Sequence, residues 1–267
     1  MKFSGTSYQA RVPYQWREEP LQHRFSDSKK IRKYRGCFEG QRCFIIGNGP
    51  SLNKIDLSML QTEFSFGVDG IFYKTDETGF RPTFYVVEDS HVIKDNLDRI
   101  NSYDVPHKFF PTHYRKLITK KNNTAFFRMN TGYYNQKSPN FMVPRFSTDA
   151  SRRVFCAQSV TMINLQLAYY FGFYEVFLIG MDFDYKIPDS AELNGENILS
   201  TEDDPNHFHP EYFGAGKSWH DPHLDRVRNS YKLMKLAYES TGRSIFNASV
   251  GGKLELFDRV EFDSLFA

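Results

Sequence analysis

The sequence predicts an α/β three-layer sandwich built on a mainly parallel sheet. Three observations predict it. Short apolar runs alternate with amphipathic helical segments along most of the chain. The segment Ser159–Phe171 reads as a mostly buried helix, stopped by Gly172 and followed at once by the apolar run Glu175–Gly180; helix, tight turn and strand make half of a parallel βαβ unit. Polar clusters follow one apolar run after another, where ligands lie in such folds, beyond the carboxyl ends of the strands.

In chain order, residues 1–36 read as a polar extension with Pro13, Pro20 and no clear period. Within it, Lys29–Arg35 carries five basic residues in seven, either the solvated start of a helix or a patch for an anionic membrane surface or an acidic substrate. The remainder, 37–267, is expected to form one nucleotide-binding catalytic domain. Arg42–Ile46 is a buried-type strand and Ser51–Leu60 a short helix, with Leu52, Ile55, Leu57 and Leu60 apolar. Glu63–Asp69 and Phe84–Val87 are the second and third strands, ending in Asp69-Gly70 and Glu88-Asp89. His91–Asn101 has helical spacing, Lys108–Phe110 is a fourth strand, and Lys120–Pro144 reads as a loop or outer hairpin. After the central helix and strand, Met181–Tyr185 lies at a strand end. Residues 186–221 show no apolar period, and a loop of that length in a compact domain implies a lid or disorder. Asp221-Pro222 reads as cap and first position of a helix running to about Ser240, and Ser244–Asn247 as the next strand.

Composition narrows the function. Hydrophobic residues make up 40% and charged residues 25%, as in ordinary globular proteins. Aromatic content is 16%, with 26 Phe and 16 Tyr, so the core should be ring-rich. A net charge of +2 gives no argument for a nucleic-acid partner. Three scattered cysteines make neither a disulfide framework nor a zinc set, and no apolar run approaches the ~20 residues that span a bilayer. With no apolar leader, the expected location is cytoplasmic, with peripheral contact at the inner membrane face through 29–35.

The chemistry centres on Cys43-Phe44-Ile45-Ile46-Gly47-Asn48-Gly49-Pro50-Ser51-Leu52. An apolar strand enters a glycine-polar-glycine turn and then a helix-like segment. Gly47 and Gly49 let the backbone approach a ligand, amides at a helix start face an anion, and Ser51 offers a hydroxyl. An ordinary tight turn is the alternative. The acids Asp69, Glu88, Asp89, Asp182 and Asp184 suit Mg²⁺ beside a phosphate, or the hydroxyls of a ribose or sugar, or capping of strand ends. Four of the eight histidines, His207, His209, His220 and His223, fall in or beside the lid. As a general base, His220 comes first and His207 second; zinc binding and plain surface placement are the other readings. Tyr185, Tyr212, Phe213 and Trp219 suit stacking on a sugar or heterocycle, or packing of the lid.

The turn from Phe44 to Leu52 with Ile55-Asp56, and the unit from Ser159-Val160 through Gly172 to Phe183, resemble bacterial sialyltransferases of glycosyltransferase family 42. The resemblance implies a single Rossmann-like domain, a cytidine monophosphate sugar donor, no metal requirement and a lid histidine as base. By position it implies that Asn48, Gly49 and Ser51 hold the donor phosphate, that Gln158 and Ser159 lie near the donor, that Asp182 holds cytidine or sugar, and that His220 is the base. The chain departs from that pattern: Asp69 and Glu88 stand where asparagines follow the second and third strands, and Asp184, with Tyr185 next, stands where a tyrosine follows the strand-end acid. The same motifs resemble the broad family that contains archaeal 6-hydroxymethylpterin diphosphokinase and flagellin-glycosylation accessory factors. That resemblance implies pyrophosphate transfer from ATP with Mg²⁺.

The expected function is therefore glycosyl transfer from a nucleotide sugar to a glycan acceptor in surface-glycan synthesis, with no cofactor. A Mg²⁺-dependent diphosphokinase or a non-catalytic nucleotide-binding protein are the alternatives. A homo-oligomer is compatible with the sequence.

Overall fold

The computed structural model describes residues 25–195 and 197–267; residues 1–24 of the predicted extension lie outside the described residues. In chain order come helix α1 (Phe25–Arg32), β1 (Arg42–Ile46), β2 (Ser65–Val68), α2 (Phe72–Thr78), β3 (Phe84–Val86), α3 (Ser90–Asp95), α4 (Leu97–Ser102), β4 (His107–Pro111) and β5 (Thr124–Phe127). There follow β6 (Met129–Asn130), β7 (Val154–Phe155), α5 (Val160–Phe171), β8 (Glu175–Ile179), β9 (Glu192–Asn194), β10 (Asn197–Leu199), β11 (Ser218–His220), α6 (Leu224–Glu239), β12 (Ser244–Asn247) and β13 (Asp258–Arg259).

Among the described residues, eight strands form one sheet in the order β13-β12-β8-β1-β2-β3-β4-β5. Every neighbouring pair in it is parallel. A parallel sheet is stable only with both faces covered, and the side chains show how this is met. Cys43 and Ile45 of β1 enter one core while Phe44 and Ile46 enter the other. The first core is closed by α5 and α6, with Tyr238 Oη donating to the Leu165 carbonyl at 2.6 Å. The second is closed by α2–α4, short 3₁₀ turns and residues of the 186–221 segment. The cores are ring-rich as predicted; Phe38 stacks on Phe173 at 4.9 Å, for example. This is the predicted Rossmann-like α/β sandwich.

Four elements differ from expectation. Ser51–Leu60 is two 3₁₀ turns, Pro50–Lys54 and Leu57–Leu60, because Ile55 is extended and the Asp56 side chain caps the second turn. His91–Asn101 is two helices, broken where Asn96 leaves helical geometry. The supposed loop at 120–144 contains edge strand β5, on which α1 lies with Lys30 Nζ donating to the Thr124 carbonyl at 2.8 Å. The last long helix begins at Leu224, not at Pro222: His223 precedes it with φ 41°, and Asp221 caps only that turn, accepting from the His223 amide at 2.9 Å.

Lys29, Arg32, Lys33 and Arg35 are exposed. They flank Lys30 and Tyr34, which bond at the starting residues of β5 and β4. The basic run thus sits at the amino edge of the sheet. Among the described residues no helix is long and apolar enough to cross a membrane.

Candidate functional site

After β1 the chain moves to β2 on one side, and after β8 to β12 on the other. The crevice between β1 and β8 is therefore the switch point at which such sheets bind ligands. A cavity of about 550 Å³ opens at these carboxyl ends. It brings together sixteen predicted residues: Gly47, Asn48, Gly49, Asp69, Glu88, Asp89, Gln158, Ser159, Asp182, Asp184, Tyr185, His207, Tyr212, Phe213, Trp219 and His220. Ser51 does not line it. The polar cluster at Asn247–Ser249 does not reach it either. Asn247 bonds the Leu254 carbonyl and the Ser249 amide, and Ser249 Oγ accepts from the Met181 amide at 3.0 Å, bracing the end of β8.

The turn itself differs from expectation. Its amides were expected to face an anion, but three are engaged within the protein. Gly47 donates to the Ile179 carbonyl at 2.8 Å and Gly49 to the Gly180 carbonyl at 2.9 Å. The Ser51 amide donates to Asp182 Oδ2 at 2.9 Å. Asp182 is thus the turn's resident anion, and a Cβ on Gly49 would overlap its carboxylate. Asn48 also braces the site: Nδ2 donates to the Val68 carbonyl and to Tyr212 Oη, at 3.1 and 2.9 Å. Its Oδ1, the Ser51 hydroxyl and Gln158 Oε1 are buried without a protein partner. Buried polar atoms are normally satisfied, and two of these, Asn48 Oδ1 and Gln158 Oε1, belong to cavity-lining residues and are available to accept from a ligand. Asp69, Gln158 and Phe183 also line the cavity with φ of 44°, 61° and 52°. Such strain in residues other than glycine concentrates at functional sites.

Six carboxylate residues line the cavity (Asp69, Glu88, Asp89, Asp182, Asp184, Asp221), and among the described residues no lysine or arginine does. Burial, then Asp89 and Glu88, holds the Asp69 carboxyl well above the usual range. Burial, then Asp89, pushes Glu88 up to about 8. Glu88 is therefore largely neutral at pH 7, which removes part of the repulsion that an anionic donor would meet. Asp184 is paired with Lys253 at 2.8 Å. Among the described residues no group of three or more His, Cys, Asp or Glu side chains is placed to hold a metal ion. The histidines face different partners: His209 stacks on Tyr73 and His220 lies tilted against His91, each with ring centroids 4.4 Å apart. Mg²⁺ asks less of a protein, one or two carboxylates plus phosphate oxygens, and Asp69 and Glu88 offer that pair.

The 186–221 segment is a built flap. β9, β10 and β11 form a small antiparallel sheet. Phe208, Tyr212, Phe213 and Trp219 are buried against the second core. Non-periodic rings, invisible to a pattern search, hold it down. The flap is bolted to the glycine turn, with the Phe208 amide donating to the Asn48 carbonyl at 2.8 Å and Asn53 Nδ2 to the Phe208 carbonyl at 2.9 Å. Tyr212 Oη accepts from Asn48 Nδ2 and, at 3.1 Å, from the Gly70 amide. Tyr212→Phe keeps the ring and removes the acceptor of the Gly70 amide; an unsatisfied buried donor costs about 1–3 kcal/mol. The variant is expected to lose about 2 kcal/mol in urea unfolding, with faster amide exchange across 204–214.

The flap places its histidines unequally. His220 is exposed, on the last residue of β11. The His207 side chain is 9% exposed and its Nδ1 lies 2.7 Å from Asp204 Oδ2. Asp204 was missed by sequence reasoning; its three-residue spacing ahead of His207 was the available signal.

Comparison with known proteins follows this geometry. The family model described as 6-hydroxymethylpterin diphosphokinase MptE-like matches residues 21–188, a span that carries the turn, the strand-end acids and the α5–β8 unit and stops before the flap strands. No curated protein matches the chain. The MAf glycosyltransferase from Magnetospirillum magneticum AMB-1 has a similar structure, with a TM-score of 0.51 and 14% identity over 89% of this chain and 38% of that one. The chain thus spans well under half of that protein, and the likeness shows a shared fold. The sialyltransferase CstII from Campylobacter jejuni, solved with the substrate analogue cytidine-5'-monophosphate, gives a TM-score of 0.46 and 13% identity over 83% of this chain and 85% of that one.

Proposed function

The chain belongs to the 6-hydroxymethylpterin diphosphokinase MptE-like family, and from that premise we propose that it is a nucleotide-dependent transferase that moves a glycosyl group from a nucleotide sugar to a hydroxyl of a glycan acceptor. One observation carries the reading: a flap with its own buried core covers the strand-end cavity and brings a carboxylate-paired histidine to it. A mere binding module needs no such base. Transfer needs both a proton acceptor and exclusion of water, since water would compete for the donor. The unpartnered Asn48 and Gln158 oxygens would accept from ribose, base or sugar, and largely neutral Glu88 would tolerate the donor phosphate. The fold shared with a glycosyltransferase is consistent with this. Surface-glycan synthesis, cytoplasmic placement and membrane contact through 29–35 belong to the same proposal.

A second reading, a Mg²⁺-dependent diphosphokinase, is favoured by a specific observation: acids line the cavity and, among the described residues, no lysine or arginine does. Asp69 and Glu88 would hold the ion together with phosphate oxygens, and when bound it would neutralise the phosphates.

Thermal shift separates the readings. A ligand at about 100 times its Kd adds about 2.7 kcal/mol, or roughly 5–10 °C for a chain of this size. Stabilisation by cytidine nucleotides without Mg²⁺ is expected for the first reading. ATP acting only with Mg²⁺ supports the second. Nucleotide binding without transfer to any of a panel of glycan acceptors, or of pyrophosphate from ATP, leaves a binding protein.

A further inference from the structure

We propose that Asp204 is the positioning residue of the site and that it fixes His207 as the neutral Nδ1–H tautomer, so that His207 Nε2 is the atom that takes the acceptor's proton. The inference rests on the transferase reading and adds to it which flap histidine acts, through which nitrogen, and what holds it.

The carboxylate is anchored before it meets the ring. Asp204 Oδ1 accepts from the Asn206 amide at 2.8 Å and Oδ2 from the Phe213 amide at 2.9 Å. The Asp204 amide donates to the Pro210 carbonyl at 2.9 Å, so the 204–213 loop closes on itself around this residue. Its side chain is 4% exposed. Burial works against its charge, yet the hydrogen bond from His207, the charge of that ring whenever it is protonated, and the two amides outweigh burial and hold the carboxyl below its ordinary value. An ionised carboxylate only accepts, so the His207 nitrogen at 2.7 Å must carry the proton. In the neutral ring that leaves Nε2 with a lone pair.

The ring plane is fixed independently. His207 stacks on Tyr212 with centroids 4.1 Å apart and planes 3° apart. Phe213 meets it edge-on at 5.3 Å, and Tyr185 at 5.9 Å. Tyr212 is the residue that latches the flap to Asn48 and Gly70. Latch and base are thus stacked rings, and closing the flap sets the base in place.

The step balances as follows. The acceptor O–H gives its proton to Nε2 as the oxygen bonds to the anomeric carbon. The bond from that carbon to the donor phosphate oxygen breaks, and its electron pair leaves on the phosphate. The imidazolium, steadied by Asp204, returns the proton to solvent once the flap opens.

The test uses the full chain, with a nucleotide sugar and an acceptor that the wild type turns over, and ¹⁵N-histidine spectra. His207→Gln and Asp204→Asn are each expected to lower kcat about 10²–10⁴-fold, with the donor KM within about threefold. The wild-type spectrum is expected to show His207 protonated at Nδ1, and Asp204→Asn to show mixed tautomers. A wild-type ring protonated at Nε2 overturns the inference even where Asp204→Asn does not fold. So does transfer at the wild-type rate by His207→Gln, or a larger loss in His220→Gln. A wild type that neither binds nucleotides nor transfers sinks the transferase reading instead, and the tautomer still decides whether Asp204 orients the ring.

Discussion

Gly180→Ala is expected to be among the most damaging single substitutions in this chain, lowering stability by about 3 kcal/mol or more in denaturant unfolding. Two costs add. Gly180 has φ +65°, a conformation that charges a residue with Cβ about 1–3 kcal/mol. The added Cβ would also overlap the Gly47 carbonyl and come within 3.3 Å of Leu52 Cβ. A backbone carbonyl at the end of a central strand cannot swing aside as a side chain does. The approach is mutual, since a Cβ on Gly47 would lie 2.6 Å from the Gly180 carbonyl oxygen. Strands β1 and β8 therefore end in backbone-to-backbone contact, which seats the turn and Asp182 at the cavity. Gly216→Ala is the control. Gly216 has φ +83° but nothing within 4 Å of the new Cβ, so it isolates the conformational cost at about 1 kcal/mol. Equal losses in the two variants would mean that the contact between the strand ends yields easily.

The same strand ends show what a sequence reveals of such a site and what it hides. β1, β8 and α5 were legible because burial on both faces leaves continuous apolar runs and because Gly172 ends α5. β5 was not, since Thr124–Phe127 is a four-residue run set among lysines and asparagines. Ser51–Leu60 has helical apolar spacing, yet Asp56 starts a new turn within it, and periodicity is blind to a cap in mid-segment. Which residues gather at the cavity followed from the rule that parallel strands present ligands at their carboxyl ends. How they are used did not. The Ser51 amide was expected to face a ligand, and its acceptor proved to be Asp182, far along the chain. The flap was legible as a long segment without period. Its order comes from Phe208, Tyr212, Phe213 and Trp219 docking on a surface that exists only once the sheet has formed.

Raising the pH from 6.5 to 8 is expected to destabilise the ligand-free wild type by about 1.5 kcal/mol relative to Glu88→Gln. The sign follows from the direction of the shift. Burial and Asp89 raise the folded-state pKa of Glu88 from 4.5 to about 8. Over that interval the native state keeps a proton that the unfolded chain has lost, so stability falls as pH rises, by about 1.4 kcal/mol per pH unit, and levels off above 8. Asp69, raised by burial and by Asp89 and Glu88, acts in the same direction. Other groups oppose this trend within the window. Burial lowers His107 and His113, so their titration adds stability as the unfolded histidines lose protons around 6.5. Burial also lowers Lys108 to about 8, and its deprotonation in the native state adds stability towards the upper end. Glu88→Gln keeps all three, so the difference between the two proteins isolates Glu88. Urea midpoints for wild type and Glu88→Gln across the window are the measurement, and parallel curves would show that Glu88 is already ionised at 6.5. The same proton separates the two functional readings. A nucleotide phosphate arriving without metal strengthens the hold of Glu88 on its proton, so binding should take up protons or leave their number unchanged. Were Glu88 and Asp69 to hold a divalent ion, Glu88 would have to give up that proton first. Calorimetric titrations in buffers of different ionisation enthalpy count it directly: release on binding Mg²⁺ with ATP, and none with a cytidine nucleotide, would assign the acid-lined cavity to metal-dependent pyrophosphate transfer.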